Sequence, residues 1–109
     1  KNHLARAKEK GRILTKLNKN ARLIALDEAG TQTTTNELAR LLTNWMAEGR
    51  DLDFVIGGAD GLDPEIKNQA DKMLSLSLMT YPHALARLIL IEQLYRAQCI
   101  IKKHPYHRD

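Results

Sequence analysis

Apolar and polar positions recur along this chain with the periods expected of helices and strands. An amphipathic pattern predicts a helix over residues 3–17, and a short apolar run that ends in an acid predicts a strand over residues 21–27. Thr34 stands three residues before Glu37, the spacing of a capping box at a helix start. The helix that follows should end at a left-handed Gly49. Its expected buried stripe comprises Leu38, Leu41, Leu42, Trp45 and Met46.

The second half of the chain continues this alternation of elements. Residues 52–56 predict a strand, and an Asp-Pro cap predicts a short helix over residues 63–72. Alternating positions over residues 73–79 predict a third strand, and residues 83–102 predict a long helix. The first half of that helix is apolar nearly all round, which is typical of a helix buried between layers or between subunits.

The order of these elements indicates one α/β domain over residues 1–109 with a mostly parallel sheet. In such sheets, ligands bind beyond the carboxyl ends of the strands. Three loops should therefore converge on one site, and they begin at residues 26–27, 56–58 and 78–82.

Composition limits the class of protein. The 109 residues are 43% hydrophobic and 28% charged, an ordinary globular balance, and the net charge of +4 permits a phosphate-bearing partner without demanding one. The single cysteine, Cys99, excludes an intramolecular disulfide and a thiolate zinc cluster, and it favours a reducing, cytoplasmic setting. No apolar run approaches the roughly 20 residues that span a bilayer, so we expect no membrane partner.

Two segments carry candidate binding chemistry. Gly57, Gly58 and Gly61 follow a predicted strand, where they would either let the backbone approach a ligand or only form a tight turn. Their spacing matches neither the dinucleotide fingerprint nor the phosphate loop. Residues 75–83 bring small hydroxyls and apolar side chains to a proline-initiated helix, which suits either a capped buried strand or the wall of a pocket for a flat apolar ligand.

Pro105 should stop the last helix. Cationic and aromatic side chains are concentrated on both sides of this proline, in the tail of the chain. Lysine and arginine for phosphates and an aromatic ring for stacking are the materials of RNA binding, although a solvated tail is the alternative. A metal pair of histidines lacks a third ligand nearby, so we expect no metal. The residues concerned are Lys102, Lys103, His104, Tyr106, His107 and Arg108.

Several motifs in fixed order resemble the ribosomal RNA large subunit methyltransferase H family, which are bacterial enzymes of the SPOUT class. The resemblance covers nearly the whole chain. It lies in Leu26-Asp27, in G-G-x-x-G within residues 54–62, in S-L-S at 75–77, in Y-P-H at 81–83, in L-Y-R-A at 94–97 and in H-P-Y-H-R at 104–108. Two departures are visible. Ala59 and Asp60 stand where the family often has proline and glutamate, and family members begin with an extra strand, helix and strand upstream of Lys1.

The resemblance implies S-adenosylmethionine-dependent methylation of N3 of a pseudouridine in 23S ribosomal RNA, on the assembled ribosome. It also implies a homodimer, a C-terminal trefoil knot around the parallel sheet, and tails that reach toward the partner's cofactor. The cofactor-binding positions that it implies are Leu26, Gly57, Gly58, Ser77, Leu78, Met79, Thr80, Tyr81 and Pro82.

Within that family frame, we expect the catalytic groups to come from the last helix and the tail. His107, with His104 second, is the candidate proton acceptor, because histidine titrates nearer to neutral pH than other side chains do. Tyr106 would stack on or orient the base, and Arg96 and Arg108 would hold phosphate or stabilise an enolate-like oxygen. Lys102, Lys103 and Arg108 are the candidate RNA contacts.

Two other functions compete with this interpretation. One is a non-catalytic module of the same fold that binds RNA or the ribosome, for which RNA affinity would depend on salt without any cofactor binding. The other is a methyltransferase of the same fold that acts on a different nucleotide.

Overall fold

The computed structural model describes residues 20–57 and 62–107, and the predicted helix over residues 3–17 lies outside them. These ranges contain three strands and three helices in the predicted order. The elements are β1 (Arg22–Gln32), α1 (Thr35–Ala47), β2 (Leu52–Ile56), α2 (Pro64–Gln69), β3 (Lys72–Ser75) and α3 (His83–Ile101).

Strand β1 lies at the centre of the sheet and pairs in parallel with both neighbours, in the order β2-β1-β3. Its register against β2 runs from Arg22 opposite Leu52 to Leu26 opposite Ile56. The predicted α/β class with a parallel sheet is therefore confirmed. The trefoil knot stays a prediction, because residues 58–61, which follow β2, lie outside the described residues.

Side chains alternate between the two faces of the sheet along β1. Because the side chains on both faces are apolar, helices cover both faces. Ile24 and Leu26 point into a core formed with α1 and α3. Leu23 and Ala25 point into a second core, which Ile66 of α2 closes. The α1 and α3 side chains fully within the first core are Leu38, Ala39, Leu42, Trp45, Leu90 and Ala97.

The ends of α1 follow the local signals in the sequence. The Thr34 hydroxyl accepts a hydrogen bond from the Glu37 amide at 3.1 Å, and the Thr34 amide donates to the Glu37 carboxylate at 2.9 Å, so the capping box is confirmed. Gly49 has a φ of 74°, as expected of a left-handed stop. The prediction that Met46 is buried is wrong, since it is 49% exposed. Trp45 already lies against Arg22, the first residue of β1, so the helix has reached the end of the sheet there.

Strand β1 runs five residues further than predicted and makes an excursion on the way. Leu26 and Thr31 both pair with Leu74 of β3, so the residues between them leave the ladder and return to it. Gly30 lies where the returning chain presses on β3. A Cβ at this position would stand 2.8 Å from backbone atoms of Met73 and Leu74.

Helix α2 and strand β3 are both shorter than predicted. Helix α2 ends at Gln69 and not near residue 72, because the Asp71 amide donates to the Leu23 carbonyl and so begins the pairing of the next strand. Strand β3 ends at Ser75 and not at residue 79. The Ser75 hydroxyl donates to the Ser77 carbonyl at 2.9 Å, and the Ser77 hydroxyl accepts from the Met79 amide at 3.0 Å, so the chain turns there.

The close approach at Gly30 yields a stability prediction. Replacing Gly30 with alanine should lower the free energy of unfolding by about 1–3 kcal/mol, because the new methyl group would force β1 and β3 apart. Urea denaturation measures this loss. An Ala29→Ser variant, exposed and one residue away, should unfold like the parent chain. Equal stability of the Gly30→Ala variant would show that the excursion adjusts freely.

Candidate active site

An open cleft of about 150 Å³ lies at the carboxyl edge of the sheet. Its lining comes from the end of β1, the end of β2, the segment between β3 and α3, and Ala86 in the second turn of α3. The predicted convergence of three loops is thereby confirmed. The apolar part of the lining includes Leu26, Ile56, Leu76 and Ala86.

The segment between β3 and α3 forms one wall of this cleft. Ser75 is 3% exposed, and its hydroxyl fixes the Ser77 carbonyl, while the Ser77 hydroxyl fixes the Met79 amide. These two serine bonds replace strand pairing over residues 76–79. The wall therefore presents irregular backbone to the cleft. The S-L-S motif alone did not predict this irregularity.

Two acids at the start of the β1 excursion give the cleft its charge. Asp27 accepts a hydrogen bond from the Ala29 amide at 2.8 Å and lies 3.4 Å from the Lys67 ammonium. Glu28 accepts a hydrogen bond from the Thr80 hydroxyl at 2.8 Å. The second bond joins the β1 excursion to the opposite wall.

Most of the cofactor-binding positions implied by the resemblance lie together in this lining. Two described positions do not line it: Leu78, whose side chain is 74% exposed, and Pro82, which is the N-cap of α3. Gly58 lies outside the described residues. Sequence reasoning missed Glu28, although it directly follows Asp27, which the sequence analysis named. The implied positions in the lining are Leu26, Gly57, Ser77, Met79, Thr80 and Tyr81.

A left-handed turn at Lys103 reverses the chain after α3. Lys103 has a φ of 59°, its amide donates to the Ile100 carbonyl at 3.0 Å, and the His104 amide donates to the Cys99 carbonyl at 2.7 Å. These are the two hydrogen bonds of a Schellman motif. The helix thus ends before Pro105, which was wrongly expected to stop it.

The reversed tail packs on Glu92, a residue that sequence reasoning did not single out. The Glu92 carboxylate receives Arg96 Nη2 at 2.7 Å and Arg96 Nε at 3.2 Å, and it accepts the Tyr106 hydroxyl at 2.9 Å. The Arg96 guanidinium lies 4.8 Å from the Tyr106 ring centroid, and Tyr95 packs edge-on against the same ring at 4.9 Å. We call Glu92, Tyr95, Arg96, Tyr106 and His107 the tail cluster.

Three of the four predicted catalytic residues meet in the tail cluster. Arg96 Nη1 lies 3.3 Å from His107 Nδ1, which joins that ring to the cluster beside Tyr106. The fourth, His104, is exposed, as are Lys102 and Lys103, and Arg108 lies outside the described residues. The spacing of Glu92 and Arg96, four residues apart on a helix, was the available signal for the cluster's centre.

Hydrogen bonding within the tail cluster sets its protonation states. The Arg96 hydrogen bond, followed by that from Tyr106, lowers the pKa of Glu92 below its ordinary value. The hydrogen bond to Glu92 raises the pKa of Tyr106, and the same carboxylate raises the pKa of Arg96. Glu92 is therefore held as an ionised acceptor and Tyr106 as a neutral donor.

The cleft and the tail cluster are separate within one chain. Ala86 and Arg96 are ten residues apart on α3, about 15 Å along the helix axis. Ala86 is buried against the core, whereas Tyr95 is 53% exposed on the other side of the helix. A single chain therefore does not bring His107 to the cleft.

Over residues 20–57 and 62–107, no three histidine, cysteine or acidic side chains are grouped so that they could hold a metal ion. Within the same ranges, no helix has both the length and the apolar character needed to cross a membrane.

The family model described as "Predicted SPOUT methyltransferase" matches residues 1–107. The chain belongs to the SPOUT methyltransferase family. Its parallel sheet, and the cleft formed by loops at the carboxyl edge of that sheet, are thus features of a SPOUT chain.

Curated relatives of this SPOUT chain carry the name "Ribosomal RNA large subunit methyltransferase H". The protein from Thiobacillus denitrificans is 61% identical over 105 residues, which are 96% of this chain and 67% of the relative. The protein from Burkholderia lata is 56% identical over 102 residues, 94% of this chain and 65% of the relative. The protein from Herminiimonas arsenicoxydans is 53% identical over 104 residues, which are 95% of this chain and 67% of the relative. The chain therefore spans about two thirds of the length of these relatives.

The shifted pKa values predict a pH window for the docked tail. Because the pKa of Glu92 lies below its ordinary 4.5, its contribution is complete above that value and is lost as the pH falls through the lowered pKa. Because the pKa of Tyr106 lies above 10.0, its contribution is complete below that value and is lost as the pH rises through the raised pKa. Carbon-13 NMR of the Tyr106 ring should show both transitions.

A Glu92→Gln variant is the matched control for this window. It keeps an acceptor for the Tyr106 hydroxyl but has no carboxylate to protonate, so the acid transition should disappear while the alkaline one remains. A Tyr106 signal in the parent chain that is unchanged below pH 4.5 would contradict the role assigned to Glu92.

Proposed function

We propose that this protein transfers a methyl group from S-adenosylmethionine to N3 of a pseudouridine in 23S ribosomal RNA, on the assembled ribosome. It would act in the cytoplasm as a homodimer. The observation that carries the proposal is the cleft at the carboxyl edge of the sheet, which gathers six of the positions implied for cofactor binding. The names of the relatives, which specify a methyltransferase of large-subunit ribosomal RNA, support the same substrate class.

The chemistry of the cleft fits this cofactor. Leu26, Ile56 and Leu76 offer an apolar surface to the flat adenine ring, and the irregular wall offers backbone groups to its nitrogen atoms. The carboxylates of Asp27 and Glu28 suit a cationic ligand. When bound, the cofactor supplies a methyl group that its positive sulfur has already activated.

The remaining chemistry falls to the substrate and to the protein's own groups. N3 of the uracil ring carries a proton and is a poor nucleophile until it loses that proton. As the proton goes to an acceptor, N3 bonds to the methyl carbon, and the electron pair of the broken carbon–sulfur bond stays on sulfur. Because the donor is activated, positioning of the base should supply much of the rate.

The tail cluster would supply the positioning and the proton acceptor. Glu92 and Tyr95 fix the Tyr106 ring, which leaves its other surfaces for contact with the RNA base. Arg96 is committed to Glu92 and lies beside His107, so it would orient the candidate acceptor and steady a nearby oxygen or phosphate. Lys102, Lys103 and Arg108 would hold the RNA backbone.

A second copy of the chain is the natural source of the tail for each cleft. Four large side chains of α3 are exposed on the side away from the core. Full burial of a large aliphatic side chain contributes about 1.5–3 kcal/mol, so a solitary chain would leave much stabilisation unused. These side chains lead directly to the tail cluster, of which Tyr95 is a member. They are Leu85 (43% exposed), Leu88 (63%), Ile91 (54%) and Tyr95 (53%).

The proposed function is tested by calorimetric titration of S-adenosylmethionine, followed by transfer of a tritiated methyl group to ribosomes that lack the modification. We expect one cofactor site per chain and label at a single pseudouridine. Salt-dependent RNA binding without cofactor binding would instead favour the non-catalytic module. Label at another nucleotide would favour a different substrate.

The proton-acceptor assignment predicts a rate effect without a binding effect. His107→Ala should slow methyl transfer on the order of 100-fold or more, and higher pH should restore part of the rate, because hydroxide or water then takes the proton. Cofactor affinity should fall little, since His107 would act on the RNA base and is not among the residues that line the cleft within one chain. His104→Ala is the matched control and should lose less. Near-normal transfer by His107→Ala would clear His107 of the role.

The dimer predicts a change in sedimentation. Leu88→Asp should convert the dimer to a monomer, because it would place a charge in the middle of the exposed apolar side of α3. Arg87→Gln, at the neighbouring exposed position, should remain dimeric. A parent chain that sediments as a soluble monomer at micromolar concentration would exclude the homodimer.

A further inference from the structure

We propose that Glu28 makes the cleft select a cationic sulfonium cofactor over its neutral thioether product. This inference rests on the proposed function, and it adds a specificity-determining residue that the resemblance does not name. The inference follows from a comparison of the two acids in the cleft, of which only one lies beside a cationic side chain.

Asp27 and Glu28 differ in how their charges are offset. The Asp27 side chain is 11% exposed and lies 3.4 Å from the Lys67 ammonium, so an internal cation balances it. Glu28 accepts the Thr80 hydroxyl, a neutral donor. No lysine, arginine or histidine among the described residues forms an ion pair with Glu28. Its carboxylate is therefore the uncompensated charge in the described lining.

Two hydrogen bonds hold Glu28 at the cleft. The bond between the Asp27 carboxylate and the Ala29 amide turns the chain out of the sheet directly around Glu28. The Thr80 hydroxyl then fixes the carboxylate against the opposite wall at 2.8 Å. The charge is thus placed between two walls of the cleft, although Glu28 belongs to a strand.

Methyl transfer changes the charge of the ligand and little else of its shape. The sulfur is positive before the reaction and neutral after it, because the electron pair of the broken bond remains there. A fixed negative charge near the sulfur lowers the free energy of the sulfonium, whereas the thioether sulfur carries no charge to attract, and the ammonium and carboxylate groups are the same in both ligands. Since the cleft is open to water, the attraction is screened, and we expect it to favour the sulfonium about three- to tenfold. Such a preference would help the spent product to leave.

The test compares the affinities of S-adenosylmethionine and S-adenosylhomocysteine by calorimetry. In Glu28→Gln, the ratio of the two affinities should fall about three- to tenfold, through weaker binding of the sulfonium and not of the thioether. Rising salt should erode the preference in the parent chain and have little effect in the variant. This readout needs no methyl transfer.

A matched control separates the local charge of Glu28 from the net charge of the chain. Glu65→Gln removes one negative charge at an exposed position of α2 outside the lining, and it should leave the ratio unchanged. A shift in Glu65→Gln as large as that in Glu28→Gln would overturn the proposal in favour of net charge.

The outcomes also separate this inference from the proposed function. If the parent chain binds neither ligand, the proposed function fails. If it binds both, and Glu28→Gln keeps the parent ratio, the role of Glu28 fails while the proposed function stands.

Discussion

The parallel pairing of β1 on both of its sides is the constraint on which the site depends. Ile24 and Ala25 in this strand are completely buried, so helices must cover both faces of the sheet. Because all three strands run in one direction, the chain leaves each of them at the same edge. The walls of the cleft are the consequence. The β1 excursion adds the acids, and it returns to the sheet only because Gly30 has no side chain to meet β3.

One side of helix α3 packs in the core, and its other side, which is also apolar, is exposed. Leu90 and Ala97 pack in the core with the sheet and α1, whereas Leu88 and Ile91 stay exposed. A surface helix normally turns polar residues outward, and this one does not. The same uncovered side carries Tyr95 of the tail cluster, so the surface proposed for the second copy and the residues proposed for chemistry are continuous.

The sequence predicted the caps of helix α1 correctly, because they follow residue preferences at fixed spacing, and it failed where an unforeseen side-chain bond or a long-range contact decides the structure. The capping box at Thr34 and the stop at Gly49 depend on a few adjacent residues, and both were predicted correctly. The predicted end of β3 was wrong, because the hydroxyl groups of Ser75 and Ser77 form hydrogen bonds with the backbone where a partner strand was expected to do so. Glu92 was missed, because only the chain reversal at Lys103 brings Tyr106, fourteen residues along the chain, back to it. The resemblance named most of the described cleft positions, but it could not show that the cleft and the tail cluster are apart.

That separation has an electrostatic consequence. The cleft carries acids that suit a cationic cofactor, whereas the tail carries Lys102 and Lys103, which suit an RNA backbone. If the tail lay on its own cleft, these ammonium groups would pair with Glu28 and compete with the cofactor. The turn at Lys103 and the bonds to Glu92 hold the tail along α3 instead. Under the proposed function, the two charges would meet only when the RNA and a second copy are in place, with phosphates to neutralise the lysines. Assembly, and not the fold of one chain, would therefore decide when the methyl donor and the tail cluster come together.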